Sequence, residues 1–346
     1  RRAGGDGDES CVRGGTTGTA TASYTVDGGN GSDWLAFNSY NTIAVSVSLM
    51  SSSTTWGSAQ VSFSNVENLS GTAGNDILTG NTANNIFYGR SGDEAIFGEA
   101  GTDTALFSGA LGDYGVSRAN GICTVTDGTG TDGTDTLTNI ERLQFVDLTV
   151  NLTVQAAAGG APDAAVPRLA ELYVAFFNRV PDADGLEFWI NQYQGGWSID
   201  QIAEAFYTAG VQYASLTGFS PTMSPEDFVN VVYRNVLGRT EGADAEGLTY
   251  WSNALRSGTE THGSLVSTIL DSAHTFKGHP TWGWVPDLLD NKIEVARSFA
   301  IEMGLNYNTP EDSIAQGMAI AAAITPTDTT TALALIGVST ADIALG

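Results

Sequence analysis

Cysteine, lysine and histidine are nearly missing from this chain of 346 residues, and each shortage closes off a class of protein. Two cysteines, Cys11 and Cys123, cannot form a disulfide framework and leave at most one bridge, in an oxidising compartment. Lys277 and Lys292 are the only lysines, and 14 basic residues face 39 acidic ones, for a formal net charge of -25. So negative a surface repels phosphate, which excludes nucleic acid and anionic membranes as partners. The histidines, His262, His274 and His279, stand in no HExxH zinc pattern, and the chain has neither a GxSxG elbow nor a phosphate loop ending in Lys-Ser/Thr. His262 beside Ser264 reads as a capping or solvent-facing pair. Abundant carboxylates always contain pairs at glycosidase spacing, so no pair is informative, and the chain reads as non-enzymatic. No apolar run approaches the roughly 20 residues that span a bilayer, which predicts a soluble or peripherally attached protein without membrane insertion. Nor does a charged-then-apolar leader follow Arg1, which reads as a processed chain or a fragment.

What abounds is acid and glycine, the latter at 42 residues. Uncompensated carboxylates repel one another in a compact chain unless cations are recruited, and glycine supplies tight turns that wrap hard cations in oxygen. The composition therefore points to Ca2+. The length suits two independent cores. Before about residue 160, Gly, Thr, Ser, Asn and Asp surround short alternating apolar runs such as Ile43, Val45, Val47 and Leu49, which read as strands. After it, Leu169, Leu172, Tyr173, Phe176 and Phe177 share one helical face, as do Ile199, Ile202, Ala203, Phe206 and Tyr207. Ser198 with Gln201, Ser224 with Pro225 and Thr309 with Pro310 mark helix starts, each cap contributing about 1 kcal/mol. The expected organisation is a multidomain chain: an all-β domain over 1–154, a linker over 155–163 (QAAAGGAPD), and an all-α domain over 164–346. The last carries two related repeats, around 165–215 and 224–276, and further helices over 285–346.

Four nonapeptides follow one another without a gap: GTAGNDILT from Gly71, GNTANNIFY from Gly80, GRSGDEAIF from Gly89 and GEAGTDTAL from Gly98. A fifth, GGNGSDWLA, stands apart from Gly28. Glycine opens each unit and recurs at the fourth place in Gly74, Gly92 and Gly101. The sixth place holds Asp33, Asp76, Asn85, Glu94 and Asp103, and the eighth holds Leu35, Leu78, Phe87, Ile96 and Ala105. Glycine lets each turn aim its carbonyls at a cation, and the short strand after it drops one side chain into a core. The pattern resembles the RTX family of calcium-binding nonapeptides, GGxGxDxUx. The flanks at 65–80 and 132–147 also resemble segments bordering such repeats in exported bacterial proteins.

The resemblance covers about residues 20–152 and implies a calcium-binding parallel β-roll, with two nonapeptides per coil. Turns 18 residues apart then clamp Ca2+ between them: the turn ending at Asp76 stacks on that ending at Glu94, with Asp93 as a further acid, and Asn85 stacks on Asp103. The implied ligands are these side chains, Asp33, and turn carbonyls at Gly71, Gly74, Gly80, Gly89, Gly92, Gly98 and Gly101. Stacked strands lie about 4.8 Å apart, so carboxylates in register repel until an ion bridges them. The pattern departs from the family at Asn85 and Glu94, at Ala83 in a glycine place, and at Asn81, Arg90 and Glu99 in second-glycine places. These departures favour the Asp76/Glu94 site over the Asn85/Asp103 site. The competing reading is a degenerate, metal-free solenoid kept for its shape.

The helical half also repeats. LYVAFFNRVPDADGLEFW, ending at Trp189, is echoed by VVYRNVLGRTEGADAEGLTYW, ending at Trp251, so that Tyr173 matches Tyr233, Arg179 matches Arg239 and Gly185 matches Gly247. This pattern resembles the domain of unknown function 4214, over about residues 165–340, a family found in exported RTX and surface-layer proteins. Trp189 and Trp251 read first as core anchors and second as platforms for sugar rings. Arg179 and Arg239 read as buttresses of helix ends with carboxylate partners. Asp184 with Glu187 reads as a helix cap rather than a calcium loop, because the twelve-residue loop spacing is absent.

Together these readings predict a non-enzymatic protein secreted to the bacterial cell surface through a type I channel. External Ca2+ then folds it into a surface-layer, filament or extracellular matrix component. The resemblance places the export signal in the tail TALALIGVSTADIALG. Solenoid ends invite self-association into a filament or lattice, and a cell-surface polysaccharide is the second expected partner. Two rivals stand beside this reading: an adhesin or carbohydrate-binding module, and the export and folding end of a larger secreted hydrolase.

Overall fold

A computed structural model describes residues 2–3, 23–37 and 42–346. The chain divides into two compact units, Arg1–Leu152 joined by Thr340–Gly346, and Thr153–Ser339. The boundary departs from the expected linker. The alanine run of 156–158 is a strong helix former, and it makes helix α1 (Val154–Gly159) where a linker was expected.

The first unit opens with β1 (Arg2–Ala3), β2 (Ser23–Asp27), β3 (Trp34–Ala36), β4 (Ser46–Ser48), β5 (Ser53–Trp56) and β6 (Ala59–Ser64). A four-stranded sheet runs β1-β2-β6-β5. Then come five strands of three residues: β7 (Asn68–Ser70), β8 (Ile77–Thr79), β9 (Ile86–Tyr88), β10 (Ala95–Phe97) and β11 (Thr104–Leu106). They enter two sheets alternately, and those 18 residues apart pair in parallel: Leu69 with Phe87, Phe87 with Ala105, and Leu78 with Ile96. A strand this short turns only its middle side chain inward, so each sheet contributes one apolar column. One is Leu35, Leu69, Phe87, Ala105 and Leu143; the other is Val47, Leu78, Ile96 and Leu137; all are buried. Each large member contributes about 1.5–3 kcal/mol by leaving water.

After β11 the alternation is interrupted by an antiparallel hairpin, β12 (Tyr114–Ala119) and β13 (Ile122–Asp127). It resumes with β14 (Thr134–Thr138) on β10 and β15 (Arg142–Gln144) on β11, followed by β16 (Leu148–Asn151). Phe107, Tyr114 and Phe145 pack together at the interruption, with ring centroids 4.9–5.5 Å apart. Cys123 is buried in the hairpin, and burial pushes its thiol up to about 12. Cys11, its suggested partner, lies outside the described residues.

The second unit holds α2 (Ala165–Phe177), α3 (Ala183–Gln194), α4 (Ile199–Gln212), α5 (Ala214–Thr217), α6 (Pro225–Leu237), α7 (Ala245–Ser257), α8 (His262–His274), α9 (Trp284–Arg297), a short strand β17 (Leu305–Tyr307), α10 (Pro310–Ala322) and α11 (Thr330–Ile336). Ser198, Ser224 and Thr309 cap α4, α6 and α10 as their sequences predict. The cap of α3 is a correction: Asp182, not Asp184, accepts from the Gly185 N–H at 2.8 Å. The end of the chain is another. Ile343 and Leu345 are buried and Ala344 is exposed, a strand period rather than a helical one, and β18 (Ile343–Ala344) pairs with β12 in the first unit.

Candidate metal centre

The registers of the two parallel sheets stack the sixth residues of successive turns. Ile77, Ala95 and Thr136 are paired, so Asp76, Glu94 and Asp135, each one residue earlier, stand in one column. By the same step Asp33, Glu67, Asn85, Asp103 and Glu141 form a second column beside the other sheet. The structure thus stacks Asp76 on Glu94 and Asn85 on Asp103, as the 18-residue period requires. Asp33 stands at the start of the second column, and Asp93 is exposed beside the first, where its Oδ1 accepts from the Thr134 N–H at 2.9 Å.

Backbone N–H groups satisfy part of these columns. Asp76 accepts from the Thr72 N–H at 2.6 Å within its own turn and from the Val45 N–H at 2.7 Å on the preceding coil. The Asn85 N–H donates to Asp103 Oδ1 at 2.7 Å, the Asp103 N–H to Glu141 Oε2 at 2.8 Å, and the Glu94 N–H to Asp135 Oδ1 at 2.9 Å. Glu94 breaks the ladder, because both of its carboxylate oxygens are buried without a hydrogen-bond partner, as is Asp103 Oδ2. Burial, then the close approach of the Asp135 carboxyl and the Asp135 and Asp76 charges, pushes Glu94 far above the ordinary carboxyl range. Burial raises Asp76 as well, and burial together with Glu141 raises Asp103 to about 6. Stranded, mutually repelling carboxylate oxygens suit a hard dication. Among the described residues no three acid, histidine or cysteine side chains form a ready cage, so carbonyl oxygens of the turns must complete any shell.

The glycines admit that close stacking. A Cβ on Gly71 would lie 2.8 Å from the Gly89 carbonyl oxygen and 2.2 Å from Asp76 Oδ2, and one on Gly98 would lie 1.9 Å from the Asn139 carbonyl oxygen. Gly80 and Gly89 are similarly pressed against Asn85 and Glu94, and Gly74 against the Thr42 carbonyl. Gly92 and Gly101 have φ of +121° and +134°. Arg90 and Glu99 also lie in the left-handed region, at +86° and +75°, which explains why glycine is the family residue there.

Three column members escape the nonapeptide reading. Asp135 sits in GTDGTDTLT from Gly130, which keeps glycine first and fourth, Asp sixth and Leu eighth, but the hairpin separates it from the tandem run. Glu67 and Glu141 belong to turns without glycine. Their signal is a shared motif, Asn-Val-Glu-Asn-Leu at 65–69 and Asn-Ile-Glu-Arg-Leu at 139–143, whose Asn65 and Asn139 take φ of +51° and +52°.

In the second unit the two suggested tryptophans part company. Trp251 donates its indole N–H to the Tyr233 hydroxyl at 3.1 Å. Trp189 lines a cavity of about 450 Å3. Arg179 pairs with Asp182 at 3.0 Å and Arg239 with Asp244 at 3.0 Å, so both arginines buttress helix caps. The Asp182 carboxyl is held below its usual range: burial would raise it, but Arg179, the Gly185 N–H and the Ser313 hydroxyl outweigh burial.

Comparison with known families agrees with both halves. Residues 70–105 match the RTX calcium-binding nonapeptide repeat in four copies, and residues 217–278 match a domain of unknown function, DUF4214. No curated protein matches the chain. The matched repeat is of the calcium-binding kind. Among the described residues no helix is long and apolar enough to cross a membrane.

Proposed function

We propose that the first unit closes into a calcium-loaded parallel β-roll and that the chain is a secreted, non-enzymatic structural protein of the bacterial cell surface, in a surface layer, filament or matrix. The observation that carries this reading is the buried Glu94 carboxyl, which no N–H or hydroxyl donor reaches, in register with the acids Asp76 and Asp135. Asp76, Glu94 and Asp135 would hold ions in one column, and Asp33, Asp103 and Glu141 in the other, with turn carbonyls completing each shell. Bound calcium supplies the positive charge that the stacked acids lack. Where calcium is scarce, repulsion keeps the turns apart. At a hundredfold excess over the dissociation constant, binding stabilises the fold by about 2.7 kcal/mol per site.

Such a switch suits a chain that folds after export. The parallel runs of the two sheets end on the short strands β3 and β4, and solenoid ends favour stacking of one chain on another, which supports a filament or lattice. Circular dichroism and particle imaging of the whole chain test both parts. In calcium we expect a strand signal and ordered assemblies; in chelator, loss of both with the helical signal retained. A fully ordered first unit after exhaustive metal removal sinks the calcium reading, and a monodisperse monomer in calcium sinks the assembly reading.

A further inference from the structure

The two helical repeats carry the same constellation, and comparing them isolates a site. In each, a tyrosine hydroxyl lies under the glycine of a capped helix: a Cβ on Gly185 would come 2.5 Å from the Tyr173 hydroxyl, and one on Gly247 would come 2.7 Å from that of Tyr233. In each, an arginine pairs with the cap aspartate; Trp251 donates its indole N–H to the Tyr233 hydroxyl, whereas Trp189 lines the same cavity as Tyr173. The repeats differ in what meets the arginine. Trp282 of the chain itself stacks on Arg239, with the guanidinium carbon 4.2 Å from the ring centroid. Arg179 instead lies over Tyr173 at 4.9 Å, and beside it opens the cavity of about 450 Å3. That volume falls in the range of about 300–1,000 Å3 that holds small ligands.

The walls of this cavity are of two kinds. Trp189, Phe177, Phe206 and the exposed Tyr213 give aromatic faces, while Asn306, Asn308, Ser313 and Asp184 give a polar side. A ligand with one apolar face and a fringe of hydroxyls fits both. Its charge is limited as well. Asp182 neutralises Arg179, Asp184 adds an acid, and the whole chain carries -25, so an anion is disfavoured. We infer that the first helical repeat binds a neutral pyranose ring in this cavity, stacked on Trp189, and that the second repeat has lost the equivalent site to Trp282. The inference concerns the second unit and stands or falls separately from the calcium reading.

Saturation-transfer NMR on the full chain in calcium tests it, using methyl glucopyranoside, mannopyranoside and galactopyranoside, with glucuronate and phenol beside them. At least one neutral pyranoside should receive saturation, glucuronate should not, and Trp189→Ala should weaken the interaction about tenfold, as expected for loss of an aromatic platform contributing about 1.4 kcal/mol. Ala209→Phe, which adds bulk to a half-buried lining position, should abolish it; if Trp189→Ala does not fold, this variant decides alone. Trp251→Ala should leave sugar binding intact in folded protein. No transfer to any pyranoside, transfer to phenol alone, or sugar binding that survives Ala209→Phe overturns the proposal.

Discussion

The two units handle acid in opposite ways. In the second, carboxylates meet cations of the same unit: Arg168 reaches Glu171 at 3.0 Å and Asp271 at 2.8 Å, Arg179 holds Asp182, and His274 bonds Glu171. In the first, acid is stacked on acid, while Arg90 Nε donates to the Ser70 hydroxyl and Arg118 to the Leu152 carbonyl. A unit that completes its own ion pairs folds on its own terms. A unit that stacks carboxylates at strand spacing makes its stability depend on an outside ion.

The largest expected effect that sharpens this contrast comes from Glu94. Glu94→Gln mimics the protonated acid, sparing the metal-free fold the cost of protonating Glu94 while depriving calcium of a charged ligand, so it should act in opposite directions with and without metal. Calorimetry should show calcium affinity falling about tenfold or more, while in chelator the variant should be more stable to urea than the parent. Asp76→Ala should also cost more calcium affinity than Asp103→Ala, because Asp76 stacks on Glu94, whose oxygens no donor reaches, whereas Asp103 stacks on the uncharged Asn85 on one side and on Glu141 on the other. Equal losses, or a Glu94→Gln variant weakened in both conditions, would make Glu94 an ordinary packing residue.

Acid gives the next contrast. In chelator the folded-state values of Asp76, Glu94 and Asp103 lie above their unfolded ones, so the folded first unit binds protons more readily. Its stability should therefore rise as pH falls from the alkaline range, where Glu94 takes up its proton, through about 6, where Asp103 does, to about 4, and be lost as pH rises back through those folded values. In the second unit Asp182 is depressed, so its contribution is complete above about pH 4, its unfolded value, and is lost as pH falls through the lower folded value. His274, raised by its bond to Glu171, contributes fully below about pH 6.5 and is lost as pH rises, whereas His262, lowered by burial, acts oppositely. Amide exchange resolved by unit, from pH 7 down to pH 3 without calcium, should show first-unit strands gaining protection while α3 loses it. Parallel responses would erase the distinction.

How much of this was legible in the chain depended on period. The stacking of Asp76 on Glu94 follows from an unbroken nine-residue phase, because strands two such steps apart pair in one sheet. Asp135 and Glu141 reach the same columns by steps of 41 and 38 residues, since Ala95 pairs with Thr136 and Thr104 with Arg142. A hairpin absorbs the difference, and no local pattern reports its length. The tail was misread because a two-residue strand carries too little alternation to compete with a helix-like composition. The α3 cap was misplaced by two residues because Asp182 and Asp184 are both good caps, and the pairing of Asp182 with Arg179 decides between them.

The smallest effect concerns two of the places where the first unit departs from glycine. Arg90 and Glu99 hold left-handed backbone, a conformation that costs a residue with a Cβ about 1–2 kcal/mol. Glycine relieves that strain but gains freedom in the unfolded chain, which returns roughly 0.4–1 kcal/mol. Glu99 is exposed and removing it also thins the acid, so Glu99→Gly should stabilise the calcium-loaded protein by about 0.5–1 kcal/mol in urea unfolding. Arg90→Gly should gain less, because it forfeits the 2.9 Å bond to Ser70 and the stacking of the guanidinium over Tyr88 at 4.8 Å. If Glu99→Gly destabilises instead, the side chain is holding something in the assembled coil, and the turns are not set by backbone geometry and cation demand alone.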